Sequence, residues 1–441
     1  MGARAGGRKR RRMSPTVVLL GSFFLLIALG VPIALALGLS SVLAAIQLGI
    51  PMSVLVQRMV VGVDSFPLLA IPFFILAGEI MNEGGISRRL IQLANVLVGR
   101  VRGGLAIVNI LTSMFFGGIS GSAVADASSI GSILIPMMKE KGYDDDYAVA
   151  VTVTGATQGI IIPPSHNMII YSLMAGGVSV GALFLAGFVP GALLGLSLMV
   201  GAYIIAVRRN YPREDPVSAS QAWQAVCNAS LGLMTALIVV GGVITGVATA
   251  TESAGIAVVY AFLVTYFVYR GAPIRTIVPI LRRTIKTFAL VMFLIATSSS
   301  FAWLMAYLKI PAQVSAALLS LSDSRVVILL VINAILLVLG CIMDVAPIIV
   351  ITTPILLPIA RSIGMDPVHY GIMMMVNMAI GLVTPPVGAS LFVGCAVGKV
   401  PIERVAKTLL PFIASMIVML LLITFVPQVV MFMPNLLMGP K

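Results

Sequence analysis

GGISGSAVAD spans residues 117–126. Three glycines, two serines and an aspartate stand there between two apolar runs, 104–116 and 130–138, and Lys139 follows the second run at once. Neither run reaches the roughly 20 residues of helix that cross about 30 Å of hydrocarbon. The segment therefore reads as a re-entrant helical hairpin that enters and leaves on one side, its tip near the midplane. An unmade backbone hydrogen bond in hydrocarbon costs several kcal/mol, so an irregular tip persists only packed in protein or lining an aqueous site. In such a place, free carbonyls and serine hydroxyls suit a hard cation, and the exposed amides of a helix start suit a carboxylate.

The rest of the chain supports a membrane reading. It has 441 residues, 59% hydrophobic and 10% charged, with mean hydropathy +1.11, against about 25% charged in ordinary soluble domains. Apolar runs such as 183–207 and 409–430 recur along the whole length, which a cleaved signal peptide does not explain. Polar interludes reach only about twenty residues, so no soluble domain fits and most enzyme classes fall away. The net charge of +13 sits in short loops beside apolar spans, the pattern of cytoplasmic ends rather than of nucleic-acid binding. Residues 1–14 form a basic tail holding Arg4, Arg8, Lys9, Arg10, Arg11 and Arg12. It reads as a membrane-proximal arm, or as an artefact if translation starts at Met13. If 16–47 makes two spans broken at Gly30-Val31-Pro32, the same loop assignments place this tail outside, against the positive-inside rule. Cys227, Cys341 and Cys395 show no paired spacing, so neither a disulfide framework nor a zinc site is expected.

The chain also repeats itself. At an offset of 222 residues, Gly118 meets Gly340, Ile133 and Leu134 meet Ile355 and Leu356, and Pro136 meets Pro358. In the same ungapped register Gly142 meets Gly364, Asp144 meets Asp366, Gly159 meets Gly381, and Pro163-Pro164 meets Pro385-Pro386. Most of these are residues that set backbone geometry. Basic loops in the first half, 83–103, 139–141 and 208–213, align with nearly neutral loops in the second; the basic segment 270–286 aligns with 48–64, where Arg58 is the only basic residue. Opposite loop charge implies halves inverted in the membrane. The expected organisation is a first repeat over 15–225, with a hairpin at about 104–138 and a broken helix at about 147–178. A second repeat covers 226–432, with a hairpin at about 326–360 and a broken helix at about 369–397, and residues 433–441 form a tail.

In the second hairpin, Cys341-Ile342-Met343-Asp344-Val345-Ala346-Pro347 is the expected tip, and Asp344 aligns with Ser122. A carboxylate at that depth needs a partner or an ion. Tandem prolines remove two amide donors and bar helix at the preceding residue, so Pro163-Pro164 and Pro385-Pro386 each break a span. Thr154, Thr157, Gln158, Ser165, His166 and Asn167 gather around one break, Asn377 and Thr384 around the other. Other features carry plainer readings. Gly117, Gly121 and Ser122 also suit close helix packing, and Asp126 suits a helix cap as well as an ion. His166 and His369 read as structural histidines, Asp144–Asp146 as the solvated start of a span, Met373–Met375 as filler, and Glu79 as a carboxylate needing a partner.

At these residues the chain resembles the large membrane subunit of tripartite ATP-independent periplasmic (TRAP) transporters. The stretches that carry the likeness are DSFPLLAIPFFILAGEIMNEGGIS, GGISGSAVADASSIGSILIPMM, GIIIPPSHNMIIY, TGVATATESAGIAVVY and DPVHYGIMMMVNMAIGLVTPPVGASLF, and it extends from about Pro15 to Pro427. The resemblance implies an all-α polytopic fold of inverted repeats with two re-entrant hairpins and two broken helices, working as an elevator in the bacterial inner membrane. It implies sodium-coupled uptake of a small organic acid such as a dicarboxylate, keto acid or sugar acid. A soluble periplasmic binding protein would deliver the acid, and a small membrane subunit would be a separate chain. Carried onto this sequence, one sodium falls at Ser120, Gly121, Ser122 and Asp126 with Thr157 and Gly159, the other at Asp344, Asn377, Gly381 and Thr384. The substrate falls between them at Pro164, Ser165, Asn167, Pro386 and Gly388. Many relatives carry SGSSPAT-like tips where this chain has residues 120–126 as SGSAVAD, so the ligands at the first tip are the less defined. No cofactor beyond the coupling sodium ions is expected. The competing class is an ion channel or passive pore, although channel filters usually repeat around a symmetry axis. An intramembrane enzyme finds no HExxH and no GxSxG.

Overall fold

The computed structural model describes residues 14–214, 216–322 and 324–439. The basic tail falls almost wholly outside them. The described residues are helical with no strand, and seven helices are long and apolar enough to cross a membrane. They form two compact units: residues up to Ser65 with Leu290–Ala317, and Phe66–Ala289 with Leu318 onward.

The smaller unit opens with α1 (Pro15–Ala28), α2 (Ile33–Leu48) and α3 (Met52–Val63). The break between α1 and α2 falls at Gly30-Val31-Pro32, where Gly30 adopts a left-handed φ of +79°. At 1.5 Å per residue α1 is only about 21 Å long, short of the hydrocarbon thickness. In this unit Gly62 packs so closely on Ser299 that a Cβ would stand 2.0 Å from its Oγ.

The larger unit runs through α4 (Ala70–Glu83), α5 (Ile86–Val98), α6 (Gly104–Ser120), α7 (Ala123–Ser129), α8 (Gly131–Glu140), α9 (Asp145–Ala156), α10 (Gln158–Ile161), α11 (His166–Met174) and α12 (Val180–Arg208). α13 (Ala219–Ile244) and α14 (Ala250–Leu263) lead to the long α15 (Ile277–Tyr307), which belongs from Leu290 onward to the smaller unit, as does most of α16 (Ile310–Leu321). The chain closes with α17 (Arg325–Gly340), α18 (Val345–Ser362), α19 (Pro367–Gly381), α20 (Ala389–Gly398), α21 (Ile402–Phe425) and α22 (Pro427–Met438).

Helix boundaries repeat the register seen in the sequence. α7 and α18, α9 and α19, and α12 and α21 begin 222 residues apart, and their N-caps include the pairs Ser122/Asp344 and Asp144/Asp366. Gly142 and Gly364 hold matching left-handed turns at φ +82° and +80°, and both tandem-proline bonds are cis. Backbone geometry is what the glycines, prolines and aspartate among the nine shared residues have in common.

Some boundaries differ from expectation. α6 continues through Gly117, Gly118 and Ile119 to Ser120, so the first tip narrows to Gly121-Ser122. Helix satisfies the backbone locally, and in an apolar setting it extends until something stops it; here Gly121 does, at φ +63°. For the same reason Ala346 and Pro347 belong to the first turn of α18, not to the second tip. The 409–430 run is cut at Val426, where Pro427 disfavours helix in the residue before it. Residues 433–438 complete α22 rather than starting a tail.

Several residues with plainer readings also find their places. Met373–Met375 are fully buried core of α19, and His369 Nε2 bonds the Ile423 carbonyl at 2.7 Å. Glu79 receives Arg283 Nε at 2.8 Å. Asp144, Asp145 and Asp146 engage cations: Asp144 meets Arg209 at 2.8 Å and Asp145 meets Lys139 at 3.3 Å, while Asp146 stands 3.8 Å from Arg209.

Candidate functional site

In the first half, the tip and the helix break meet backbone to backbone. A Cβ on Gly117 would lie 2.8 Å from the Gly159 Cα, and one on Gly159 would lie 2.8 Å from Asp126 Oδ2 and 3.0 Å from the Ser122 carbonyl carbon. Only glycine admits that approach. Ser122 caps α7 through its Oγ, which accepts from the Ala125 amide at 3.4 Å. Asp126 is therefore not the cap; it sits one turn further in, fully buried. Its Oδ1 accepts from the Ser120 hydroxyl, and its Oδ2 has no partner among the described residues. Thr157 is buried beside Gly159, but its hydroxyl is committed to the Thr154 carbonyl at 2.7 Å. Its backbone is engaged too, the amide with the Thr154 carbonyl and the carbonyl with the Ile160 amide, each at 3.3 Å.

The proline break closes on the same tip. A Cβ on Gly121 would stand 3.2 Å from the Pro164 carbonyl oxygen and 3.4 Å from His166 Nδ1. Ser165 begins α11 in extended backbone without using its side chain as a cap, and its Oγ is buried and unpartnered, as is His166 Nδ1. Asn167 is buried in the first turn. The expected substrate residues Pro164, Ser165 and Asn167 are thus contiguous with the tip. A buried hydroxyl or carboxylate oxygen left unpaired carries a desolvation cost of about 1–3 kcal/mol.

In the second half, a Cβ on Gly381 would meet the Gly340 carbonyl carbon at 2.4 Å, and the Val387 amide donates to the Cys341 carbonyl at 3.2 Å. Tip and break again touch. Asp344 caps its helix as its repeat-mate Ser122 does, its Oδ1 accepting from the Val345 amide at 2.8 Å, but it is the more exposed of the two. Thr384 Oγ1 donates to the Ile380 carbonyl at 2.6 Å. Gly388 turns the chain into α20 at φ +46°, and Pro386 is exposed. Asn377, fully buried, donates to Asn333 Oδ1 at 2.7 Å and to the Met373 carbonyl at 3.0 Å, leaving its own Oδ1 unpartnered. Asn333 in turn donates to Thr424 Oγ1 at 3.1 Å. Asn333 and Thr424 were not singled out from the sequence; the one signal was an asparagine alone in the apolar run 326–340.

The halves interleave. α11 packs on α18 and α19, and α20 packs on α7, α8 and α9. Gly371 approaches the Tyr171 ring and Gly394 approaches Val153, each too tightly for a Cβ. Oxygens without partners thus collect near both junctions: Asp126 Oδ2 and Ser165 Oγ at one, Asn377 Oδ1 and Ser390 Oγ on the helices of the other. The donor set is hard oxygen, which suits a cation such as sodium better than a soft metal.

A multi-pass helical protein whose paired hairpin turns close on paired proline breaks has the build of a membrane transporter. The chain belongs to the TRAP family: residues 20–429 match the family described as the tripartite ATP-independent periplasmic transporter, DctM component. It is 45% identical over 425 residues to the uncharacterized protein YgiK of Salmonella typhimurium, covering 96% of this chain and 98% of that one. It is 40% identical to the isethionate TRAP transporter permease protein DctMQ of Oleidesulfovibrio alaskensis, covering 95% of this chain and 66% of that one. Identity to the C4-dicarboxylate TRAP transporter large permease protein DctM of Vibrio cholerae is 39%, over 93% and 96% of the two chains. Among solved structures, the Alcanivorax borkumensis YdaH transporter superposes with TM-score 0.62 at 16% identity, over 97% of this chain and all of that one. The chain is a TRAP transporter large permease, a multi-pass protein of the inner membrane.

Proposed function

We propose that this permease takes up a small organic acid in symport with sodium, the acid and the ions meeting where hairpin tips close on proline breaks. The carrying observation is the pair of buried oxygens without partners, Asp126 Oδ2 in one half and Asn377 Oδ1 in the other. Ser120, Gly121, Ser122, Asp126 and the Thr157–Gly159 backbone would hold one sodium; Asp344, Asn377, Gly381 and Thr384 would hold another. Pro164, Ser165, Asn167, Pro386 and Gly388 would line the acid's seat. The two hairpins are re-entrant from opposite sides in this reading, and the unit that contains them moves as an elevator.

Relatives named for isethionate and C4-dicarboxylates share an anionic acid group on a small polar skeleton, and an anion of that kind is the proposed cargo. A periplasmic binding protein would deliver it, and a small membrane subunit on a separate chain would complete the assembly. The test is uptake in proteoliposomes holding permease, small subunit and binding protein under an imposed sodium gradient. Asp344→Asn or Ser122→Ala is expected to raise the sodium concentration needed for half-maximal uptake; an unchanged sodium dependence rejects the ligand assignment. Ion conductance far above carrier turnover, uncoupled from solute, rejects symport in favour of a channel.

A further inference from the structure

The end of α12 and the start of α21 enclose a cleft of about 330 Å³ lined by Ile205, Arg208, Arg209, Lys407, Thr408 and Pro411. Its cations are unequally engaged. Arg209 is paired with Asp144 and approaches Asp146, while Thr408 donates to Asp146. Arg208 and Lys407 are exposed and form no ion pair among the described residues. Of the acidic groups nearby, Asp144 and Asp146 are engaged by Arg209, while Glu403, exposed one turn before Lys407 on α21, forms no ion pair among the described residues and stands next to the equally exposed Arg404.

Below the basic rim the same helix faces turn apolar. Val200 and Ile204 stand on the face of Arg208 at helical spacing, Leu410 follows Lys407 by one turn, and all three are exposed. Pro411 has no amide to give, so the Lys407 carbonyl lacks its usual intrahelical donor. Two unpaired cations at the end of a greasy stripe match a phosphate that carries hydrocarbon tails, and basic pockets between spans on the cytoplasmic side attract anionic headgroups.

We propose that this cleft binds the headgroup of an anionic phospholipid, with its phosphate between Arg208 and Lys407 and its acyl chains along Val200, Ile204 and Leu410. A free phosphate would leave the stripe unused. A zwitterionic headgroup would bring a cation to a rim where the exposed Arg208, Arg404 and Lys407 outnumber the one unpaired carboxylate, Glu403.

The test titrates the purified full chain with phosphatidylglycerol or phosphatidylcholine and counts retained lipid by native mass spectrometry. Phosphatidylglycerol is expected to be held in preference. Arg208→Gln with Lys407→Gln should weaken its retention about thirtyfold, at roughly fivefold per basic residue. The charge-keeping pair Arg208→Lys with Lys407→Arg should retain it, as should Arg88→Gln with Arg275→Gln, which removes equal charge elsewhere. Equal retention of the two lipids, or undiminished phosphatidylglycerol on the double glutamine variant, overturns the proposal. Displacement of the lipid by glycerol phosphate at comparable concentration overturns it too, because the tails would then contribute nothing.

Discussion

The two hairpins are built on one backbone plan and do different chemistry with it. In the first, the tip is two residues, a serine caps the returning helix, and the carboxylate of Asp126 is withdrawn one turn into a fully buried position. In the second, the tip is four residues and the carboxylate of Asp344 is itself the cap and exposed. The buried polar group of the second half is a neutral amide, Asn377, oriented by Asn333 and Thr424. The repeat therefore preserves where helices begin, while tip length and the identity and depth of the oxygen donors diverge. A buried carboxylate left ionised is far costlier than a buried amide unless a proton or cation neutralises it, so in the proposed reading the first junction depends more on its sodium.

That contrast is open to direct test. The largest effect is expected from Gly381→Ala, whose new methyl meets main chain at 2.4 Å; overpacking of this kind costs about 1–3 kcal/mol or more and should lower the thermal midpoint markedly. Gly159→Ala meets Asp126 Oδ2 at 2.8 Å and the Ser122 main chain only at 3.0 Å, so it should cost less stability than Gly381→Ala while impairing sodium-driven uptake; equal destabilisation by the two variants would erase the distinction. Next comes Asn333→Ala, which strips Asn377 of one buried acceptor and should cost about 1–3 kcal/mol, with a raised sodium requirement. Uptake kinetics unchanged by that substitution would mean that Asn377 does not need orienting.

Smaller effects separate the caps. Asp344→Ala should cost roughly 1 kcal/mol of helix stability, and Ser122→Ala less, its bond to the Ala125 amide being 3.4 Å long. The weakest contrast lies between the repeat-mates Asp144 and Asp366. Asp366 caps its own helix by accepting from the Val368 amide at 2.7 Å. Asp144 is held below the usual carboxylate range, first by the Tyr211 hydroxyl and then by Arg209. A depressed folded value means that this stabilisation is complete above about pH 4 and disappears as pH falls through the lower folded value. The gap in thermal midpoint between wild type and Asp144→Asn, worth under about 1 kcal/mol for so exposed a pair, should therefore close in acid and persist at neutral pH.

Much of this was legible in the chain's letters. Gly142/Gly364 and Pro163-Pro164/Pro385-Pro386 announce themselves because a left-handed turn and a missing amide are properties of one residue, independent of its surroundings. Ser120, Ser122, Ser165 and Asn167 were legible as polar letters in apolar text. The exact tips were not, because small residues such as Gly117 and Gly118 serve helix packing as readily as a turn, and only the close approach of Gly159 decides between the two. Asn333 was hidden for a related reason: its partners, Asn377 and Thr424, lie 44 and 91 residues away.

The sequence by itself determined a helical membrane chain, two repeats in a 222-residue register, and the four places where helix must stop, since hydropathy, glycine and proline act locally. Only the tertiary structure decided which oxygens are spent and which are left over. Thr157 and Thr384 bond their own helices, Ser120 serves Asp126, and Asp126 Oδ2, Ser165 Oγ and Asn377 Oδ1 stay unpartnered. Whether a buried polar atom is satisfied depends on neighbours brought from distant segments, and that is a property of packing rather than of order along the chain.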